Sequence, residues 1–145
     1  MPFTCQLKVR FGDVDHAGVA YYPTIIDYFH LAFEEFWEHW MGVPYPTVVD
    51  KERLGFPTVH LDVDFVAPLT YGDRLSVQMG VEKVGTSSVT FRYLFVKPSA
   101  QQGGAPIPCV RGTLTVVAVD LETFAPKSVP GPYRAKFEAC SPPSG

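Results

Sequence analysis

The segment from Asp13 to Trp40 constrains the fold more than any other part of the chain. After Pro23, apolar side chains recur at steps of three and four, the spacing that places them on one face of an α-helix. They are Tyr22, Ile25, Ile26, Phe29, Ala32, Phe33, Phe36, Trp37 and Trp40. Because proline suits a first helical turn and glycine suits a helix end, we predict a helix from Pro23 to Trp40 that stops at Gly42. It would be about 27 Å long, roughly the width of a small domain, so other elements must wrap around it.

Five further segments alternate apolar and polar residues, the period-two pattern of half-buried β-strands. They lie at residues 3–11, 59–65, 75–81, 89–95 and 110–119. No helical pattern separates the last four, so we expect a mostly antiparallel sheet with the long helix on one face. The sequence therefore predicts an α+β fold of five strands and one central helix.

Two segments carry weaker signals. Residues 42–57 mix proline and glycine with one helical-looking turn near 48–54, and we interpret them as a connector beside a pocket. The tail from residue 126 is rich in proline and is expected to be irregular. No internal repeat is visible, and we treat residues 1–145 as a single domain.

Composition narrows the classes of function. The 145 residues carry a net charge of −3 without a cluster of lysine and arginine, so nucleic acid is not an expected partner. No stretch approaches the ~20 apolar residues of a membrane span, and the first residues lack the apolar run of a signal peptide. The three cysteines, Cys5, Cys109 and Cys140, form no CxxC motif and no even set, so we expect reduced thiols and a cytoplasmic protein.

Residues 11–23 read FGDVDHAGVAYYP, directly before the predicted helix. This segment resembles the F/Y-x-D-x-D-x-x-G-x-x-x-Y-P/H signature of acyl-CoA thioesterases similar to 4-hydroxybenzoyl-CoA thioesterase. GFPTVHLDVDFVAPLTYGDRL and Ser88 also fall where that family has them, so the resemblance covers roughly residues 5–120. It implies a hotdog fold, in which a curved five-stranded antiparallel sheet wraps around one long helix.

Thioester hydrolysis needs a group that attacks the carbonyl or activates water, together with donors for the oxyanion that forms. The resemblance implies that Asp15 is the catalytic carboxylate, as nucleophile or as general base, while we assign Asp13 to structure. Gly18 fits a close backbone turn before the helix. The N–H of Tyr22 lies at the positive end of the helix dipole, and the resemblance implies that it polarises the thioester carbonyl. Pro23 has no N–H to donate.

The resemblance also implies substrate-binding residues. Thr58, Val59 and His60 begin a strand that in the family reaches the active site of the neighbouring subunit, and Ser88 corresponds to a serine that touches the CoA nucleotide. At residues 85–86, Gly-Thr stands where the namesake enzyme has a basic pair near the CoA phosphates, which leaves CoA and acyl-carrier protein both open as carriers.

Further expectations concern the substrate and the assembly. Pro23 stands where the hydroxybenzoyl-type enzyme has proline, so the resemblance implies an aromatic or bulky acyl group, with a medium chain as the other option. The rings of Tyr21, Tyr22, Tyr28, Phe29 and Phe56 favour the same kind of group. The expected reaction is hydrolysis of an acyl-CoA to the free acid and CoA, without a cofactor beyond the substrate. We expect no metal site, because the helix histidines are nine residues apart and no HExxH occurs. Open strand edges and the resemblance favour a homo-oligomer, a dimer of dimers.

Two other classes remain open. A non-catalytic acyl-thioester binding module would have no need for a carboxylate beside the carbonyl. A hotdog dehydratase or hydratase would need a histidine paired with an acid in the central-helix region, and we expect the helix histidines to face polar surroundings without that arrangement. Glu34 and Glu35 lie roughly 18 to 20 Å along the helix from Tyr22 and are expected on a solvated face, with Glu35 paired to His39.

Overall fold

The computed structural model describes residues 1–145, which form three α-helices, one short 3-10 helix at Phe11–Asp13 and seven strands. The helices are α1 (Tyr22–Phe36), α2 (Tyr45–Lys51) and α3 (Gly131–Glu138). The strands are β1 (Phe3–Lys8), β2 (Leu54–Gly55), β3 (Thr58–Phe65), β4 (Arg74–Val84), β5 (Ser88–Lys97), β6 (Ile107–Val117) and β7 (Val119–Asp120). None of the helices combines the length and the apolar character that a membrane span requires.

Five strands form one antiparallel sheet in the order β1-β4-β5-β6-β3, so β1 and β3 are its edges. The concave face packs on α1, whose buried stripe includes Ile25, Phe29, Ala32, Phe33 and Phe36. The helix lies so close that a Cβ at Gly112 would fall 2.8 Å from the ring of Phe29. The sequence prediction of a five-stranded sheet around one central helix is confirmed.

The central helix changes geometry near its end. Residues Trp37–Met41 form one wider π-helical turn, and Gly42 then takes a left-handed φ of 82°. The predicted stop at Gly42 is therefore confirmed, since only glycine adopts this conformation at little cost.

The tail is irregular only in part, which corrects the prediction from its prolines: residues 131–138 form α3, whereas residues 127–130 and 141–145 lie outside helices and strands. Pro130 precedes α3 and Pro132 lies in its first turn, where a missing N–H leaves no helical bond broken. Phe137 is fully buried and its ring contacts those of Trp37 and Phe91. The prolines are visible in the sequence, but the packing of Phe137 into the core depends on distant segments and is not.

The connector also contains more structure than predicted. The single helical turn expected near residues 48–54 is the helix α2, which starts earlier, and it is followed by the short strand β2. β2 pairs with β7 in a separate two-stranded sheet. This pairing joins residues far apart in sequence, so the local pattern could not indicate it.

Candidate active site

The loop before α1 is closed on itself like a small hairpin. Val14 and Ala20 form an antiparallel bridge, and the N–H of Asp15 donates to the carbonyl of Val19 (3.0 Å). The N–H of Gly18 donates to the carbonyl of Asp15 (2.9 Å), and Gly18 has a φ of 82°. A residue with a side chain would be strained in this turn, so the glycine fixes where Asp15 sits.

The carboxylate of Asp15 is exposed and only partly used by the protein. Its Oδ1 accepts a hydrogen bond from the N–H of Ala17 (2.8 Å), while Oδ2 has no hydrogen-bond partner in the chain. The first contact holds the side chain in one orientation, and the second oxygen remains available to a ligand.

The start of α1 presents a free donor. The first helical hydrogen bonds come from the N–H groups of Thr24 and Ile25 to the carbonyl of Tyr21 (2.9 and 3.3 Å). The N–H of Tyr22 donates to no backbone oxygen of the chain, and no side chain caps the helix. Such an N–H, at the positive end of the helix dipole, is suited to an oxyanion.

Asp13 ties this loop to the body of the helix. Its Oδ2 accepts hydrogen bonds from the N–H of Arg10 (2.9 Å) and from the hydroxyl of Tyr28 (2.6 Å). Burial, followed by the hydrogen bond to Asp13, raises the pKa of Tyr28, so this tyrosine stays protonated and keeps donating. The hydroxyl of Tyr28 therefore contacts Asp13 in the loop before α1 and does not face an acyl pocket.

A cavity of about 390 Å³ lies between the middle of α1 and the β3 edge of the sheet. We call it the mid-helix cavity, and seven of its ten lining residues are hydrophobic. The lining consists of Ile26, Phe29, His30, Phe33, Tyr45, Phe56, Pro57, Thr58, Leu61 and Leu114. Its size and its rings match a site for a flat organic group.

A second apolar depression, of about 260 Å³, lies at the start of α1. We call it the helix-start groove, and Tyr22, Ile25 and Phe65 are among its walls. The exposed rings of Tyr21 and Tyr22 pack edge to face beside it, with centroids 5.4 Å apart.

The predicted site residues fall into two groups at opposite ends of β3. Asp15, Gly18 and Tyr22 lie at the Phe65 end, because the loop pairs with the segment after β3 through the N–H of Ala20 and the carbonyl of Leu69 (2.7 Å). Thr58 and Ser88 lie at the other end, where they pair with the neighbouring residues 116 and 117 of β6. Eight residues of strand separate the groups, roughly 23 Å.

The strand residues at the Thr58 end differ in what they face. Thr58 lines the mid-helix cavity, whereas Val59 sits in a bulge and is 61% exposed on the sheet edge. His60 is exposed as well. Near Ser88, the guanidinium of Arg134 donates to the carbonyl of Gly85 (2.6 Å), so α3 supplies a basic group to a turn that has none of its own.

Sequence reasoning gave no site role to two polar residues of the mid-helix cavity, His30 and Tyr45. Nε2 of His30 lies 2.9 Å from Oε2 of Glu34, which corrects the expectation that the helix histidines face polar surroundings without a paired acid. The helical spacing held the signal, since His30 is four residues after Ile26 and three before Phe33, both in the apolar stripe.

The predicted pair of Glu35 and His39 is confirmed, with a distance of 3.0 Å. Glu38 joins them, and the ligand atoms of the three lie within 4.8 Å of one another on the exposed end of the helix. Exposed acidic groups of this kind are common without a bound ion. The absence of a metal site stays a prediction.

A family model described as the thioesterase-like superfamily matches residues 9–137. The chain belongs to this superfamily. The structure of a 4-hydroxybenzoyl-CoA thioesterase mutant in complex with 4-hydroxybenzoyl-CoA superposes with a TM-score of 0.85, covering 94% of this chain and 98% of that one at 22% identity. That likeness establishes the hotdog fold, and the family model confirms the resemblance drawn from the motif.

Curated relatives carry a related name. A 1,4-dihydroxy-2-naphthoyl-CoA hydrolase of Nostoc punctiforme is 33% identical over 93 residues, which is 64% of this chain and 62% of the Nostoc protein. The match therefore spans somewhat less than two thirds of that relative. A hydrolase of the same name from Synechococcus sp. strain WH7803 is 30% identical over 138 residues, covering 91% of this chain and 86% of the relative.

Proposed function

We propose that the protein hydrolyses the thioester of an aromatic acyl-CoA to the free acid and CoA. The observation that carries the proposal is the Asp15 carboxylate, fixed by one hydrogen bond and otherwise free, in a loop that closes onto the helix start where the Tyr22 N–H has no partner. A carboxylate beside an oxyanion donor is the minimum that acyl transfer to water requires. Membership of the thioesterase-like superfamily supports the same chemistry.

In the proposed reaction, the thioester carbonyl oxygen accepts a hydrogen bond from the Tyr22 N–H. Asp15 either adds to the carbonyl carbon or takes a proton from a water molecule that does so. The negative charge that develops on oxygen is stabilised at the helix N-terminus, and the carbon–sulfur bond then breaks to release the CoA thiolate. Where Asp15 adds directly, water then hydrolyses the acyl-aspartyl anhydride and restores the carboxylate. Both routes thus consume one water molecule and give one acid and one thiol, so the reaction as proposed needs no cofactor.

The acyl group is aromatic in this proposal because of the mid-helix cavity. Phe29, Phe33, Tyr45 and Phe56 line it, and ring pairs contribute roughly 0.5 to 1.5 kcal/mol each beyond area burial. The relatives are named for a naphthoyl-CoA substrate, which is also flat. Ser88 and Arg134 meet at one turn, where the N–H of Gly85 donates to the carbonyl of Ser88 and Arg134 donates to the carbonyl of Gly85. We propose this turn as the binding site of the CoA nucleotide.

The site is proposed to form between two subunits. β3 is an edge strand with exposed Val59 and Phe65, and pairing it antiparallel with its own copy would cover this edge. The two-fold axis would then place the Phe65 end of one strand beside the Thr58 end of the other. The partner subunit's Asp15 and Tyr22 would thus meet the mid-helix cavity of this chain, so the two groups of residues that one chain keeps apart would come together.

The C-terminal residues Pro143 and Gly145 lie against Arg92, Leu94 and Arg111 and cover part of the convex face of the sheet. We propose that the rest of this face joins two dimers into a homotetramer. Light scattering should then give about four times the 16.1 kDa mass of the chain. A monomer at micromolar concentration would contradict both the assembly and the shared site.

We also propose a cytoplasmic location. Cys5, Cys109 and Cys140 are all free, and no disulfide links them. Burial raises the pKa of all three thiols, that of Cys5 to about 11, so they remain protonated and unreactive. A reducing compartment suits such a set.

The test is release of free thiol from a panel of acyl-CoA esters. We expect aryl esters such as benzoyl-CoA to exceed acetyl-CoA in kcat/KM by at least about tenfold, the ratio that two ring contacts would give. If straight-chain esters of four to ten carbons have a higher kcat/KM than every aryl ester, the aromatic assignment is contradicted, while the assignment as a thioester hydrolase still stands. Binding without thiol release would make the protein an acyl-thioester binding module, and hydration of an enoyl-CoA would make it a hydratase.

A further inference from the structure

Tyr28 differs from the other buried residues of α1 because it carries a polar group. The buried residues of this helix are Ile25, Tyr28, Phe29, Ala32, Phe33 and Phe36. Tyr28 is only 3% exposed, and its hydroxyl donates to Oδ2 of Asp13 at 2.6 Å. Phenylalanine would bury the same ring, so what the hydroxyl adds is this one bond. A bond to a carboxylate is about twice as strong as one between neutral groups.

Asp13 is in turn bonded to the segment on each side of it. Its carboxylate accepts the N–H of Arg10 (2.9 Å), and its backbone carbonyl accepts the N–H of Tyr21 (3.0 Å). Tyr21 directly precedes Tyr22, whose N–H is the proposed oxyanion donor, and Asp13 lies two positions before Asp15. The position of Asp13 therefore affects both reacting groups of the proposed site.

The loop before α1 has two kinds of anchor. Its second half is held by backbone contacts, which are the bridge between Val19 and Thr70 and the bond from the N–H of Ala20 to the carbonyl of Leu69 (2.7 Å). Its first half is joined to the body of α1 through the hydroxyl of Tyr28. Loss of that hydroxyl would free the first half while the second half stays in place, so Asp15 would shift relative to the helix start.

We infer that Tyr28 is a positioning residue for the proposed hydrolysis, which acts through Asp13 to hold Asp15 and the Tyr22 N–H in their relative positions. The inference rests on the proposed thioesterase function and adds a residue that contacts neither the substrate nor the reacting atoms. A misplacement of about 1 Å can cost on the order of 100-fold in rate, so the effect should appear in kcat and not in substrate binding.

The measurement is kcat for benzoyl-CoA, together with the Kd of S-benzyl-CoA, a thioether that cannot be hydrolysed. We expect Tyr28→Phe to lower kcat by about 10- to 100-fold and to leave this Kd within about twofold of the wild-type value. Both quantities are measured well below the Tm of each variant, because the lost hydrogen bond also lowers stability.

Tyr133→Phe is the matched control. Tyr133 also donates its hydroxyl to a carboxylate, that of Glu52, but it lies on α3 and does not contact the loop. This variant should lose stability in the same way and keep the wild-type kcat. An equal loss of kcat in Tyr28→Phe and Tyr133→Phe would overturn the inference, since it would reflect stability alone.

Variants of the two aspartates separate positioning from general stability. Asp13→Asn keeps an acceptor for Tyr28 and should keep kcat within a factor of a few, whereas Asp13→Ala should lose as much as Tyr28→Phe. In the Asp15→Asn background, Tyr28→Phe should lower the residual turnover no further, because the group that it positions is already absent. A further loss as large as that in the wild-type background would overturn the inference.

The failure of the inference and the failure of the proposed function give different results. Thiol release by the wild-type protein reports on the function alone, and its absence would overturn the function and the inference together. Release by the wild-type protein with an unchanged kcat in Tyr28→Phe would overturn the inference and leave the function.

Amide hydrogen exchange tests the same contact without turnover. The N–H of Tyr21 is bonded to the carbonyl of Asp13, so it should exchange faster in Tyr28→Phe, while the N–H groups of β5 and β6 keep their wild-type rates. An unchanged exchange rate at Tyr21 would show that Tyr28 does not hold the loop and would overturn the inference.

Discussion

At the scale of single residues, Asp13 and Asp15 lie two positions apart and differ in surroundings. Oδ2 of Asp13 accepts two hydrogen bonds, from the N–H of Arg10 and the hydroxyl of Tyr28. Asp15 is exposed and has one contact, from the N–H of Ala17. A carboxylate that holds a loop uses its lone pairs within the protein, whereas one that acts on substrate must keep some free. The two sets of contacts are consistent with the proposed roles, structural for Asp13 and catalytic for Asp15.

We predict that Asp15→Asn lowers kcat by about 100- to 10,000-fold, because an amide neither attacks the carbonyl nor takes a proton from water. The fold should persist, since the amide oxygen still accepts the N–H of Ala17. The measurements are kcat and Tm, with the exposed helix residue Asp27 changed to Asn as control. If the kcat of Asp15→Asn stays within a factor of a few of the wild-type value, the assignment of Asp15 is contradicted and His16, Glu34 and Glu35 become the candidates.

The sequence could indicate Asp15 and Gly18 because a turn leaves a local record: a carboxylate, a glycine and a proline at fixed spacing. It could not separate His30 from His39 by their charged partners, since each has a glutamate four residues away. The difference lies in which helix face β3 and α2 cover. That depends on tertiary packing, and only the apolar stripe gave a hint of it.

At the scale of elements, the turn between β3 and β4 supports the loop that carries Asp15. Thr70 bridges to Val19, and Oδ2 of Asp73 accepts hydrogen bonds from the Thr70 N–H (2.8 Å) and from Lys97 (3.1 Å). Burial acts to raise the pKa of Asp73, but the bonds from Thr70 and Lys97 outweigh it and lower that pKa. The ionised form is thus favoured by folding.

We predict that Asp73→Asn destabilises the protein by about 1 to 3 kcal/mol at pH 7, because Lys97 loses its charged partner. A carboxyl whose pKa is lowered by folding stabilises above its unfolded pKa and loses that effect as pH falls through its folded pKa. Urea unfolding of both proteins should therefore give a difference that is constant from pH 7 to about pH 5 and shrinks toward pH 3. A difference independent of pH would contradict the ionic origin.

The helix α3 anchors the tail through one side chain. Phe137 has no exposed surface, and its ring contacts those of Phe36, Trp37, Phe56 and Phe91. We predict that Phe137→Ala lowers the free energy of unfolding by about 3 to 5 kcal/mol. Glu138→Gln on the exposed side of the same helix is the control and should change it by less than about 0.5 kcal/mol. Equal effects would mean that α3 is not part of the core.

At the scale of the whole molecule, the sequence predicted the five strands of the main sheet but neither their neighbours nor the short strands β2 and β7. Alternation shows which residues of a strand are half-buried, whereas the order β1-β4-β5-β6-β3 depends on contacts between distant segments. That order makes β3 an edge and leaves Val59 and Phe65 exposed. It also puts Asp15 and Thr58 at opposite ends of one chain, which is the reason for proposing a site shared by two subunits.

A mixing experiment tests the shared site. Asp15→Asn removes the carboxylate, and Thr58→Trp fills the mid-helix cavity from its rim, so each variant alone should be inactive. If each site takes Asp15 from one subunit and the cavity from the other, a dimer of the two variants contains one intact site. When the two variants are refolded together, half of the dimers should be mixed, and one of the two sites in each mixed dimer is complete. The mixture should therefore regain about a quarter of the wild-type kcat per site. A site built within one chain would show no recovery, because every chain in the mixture carries a defect.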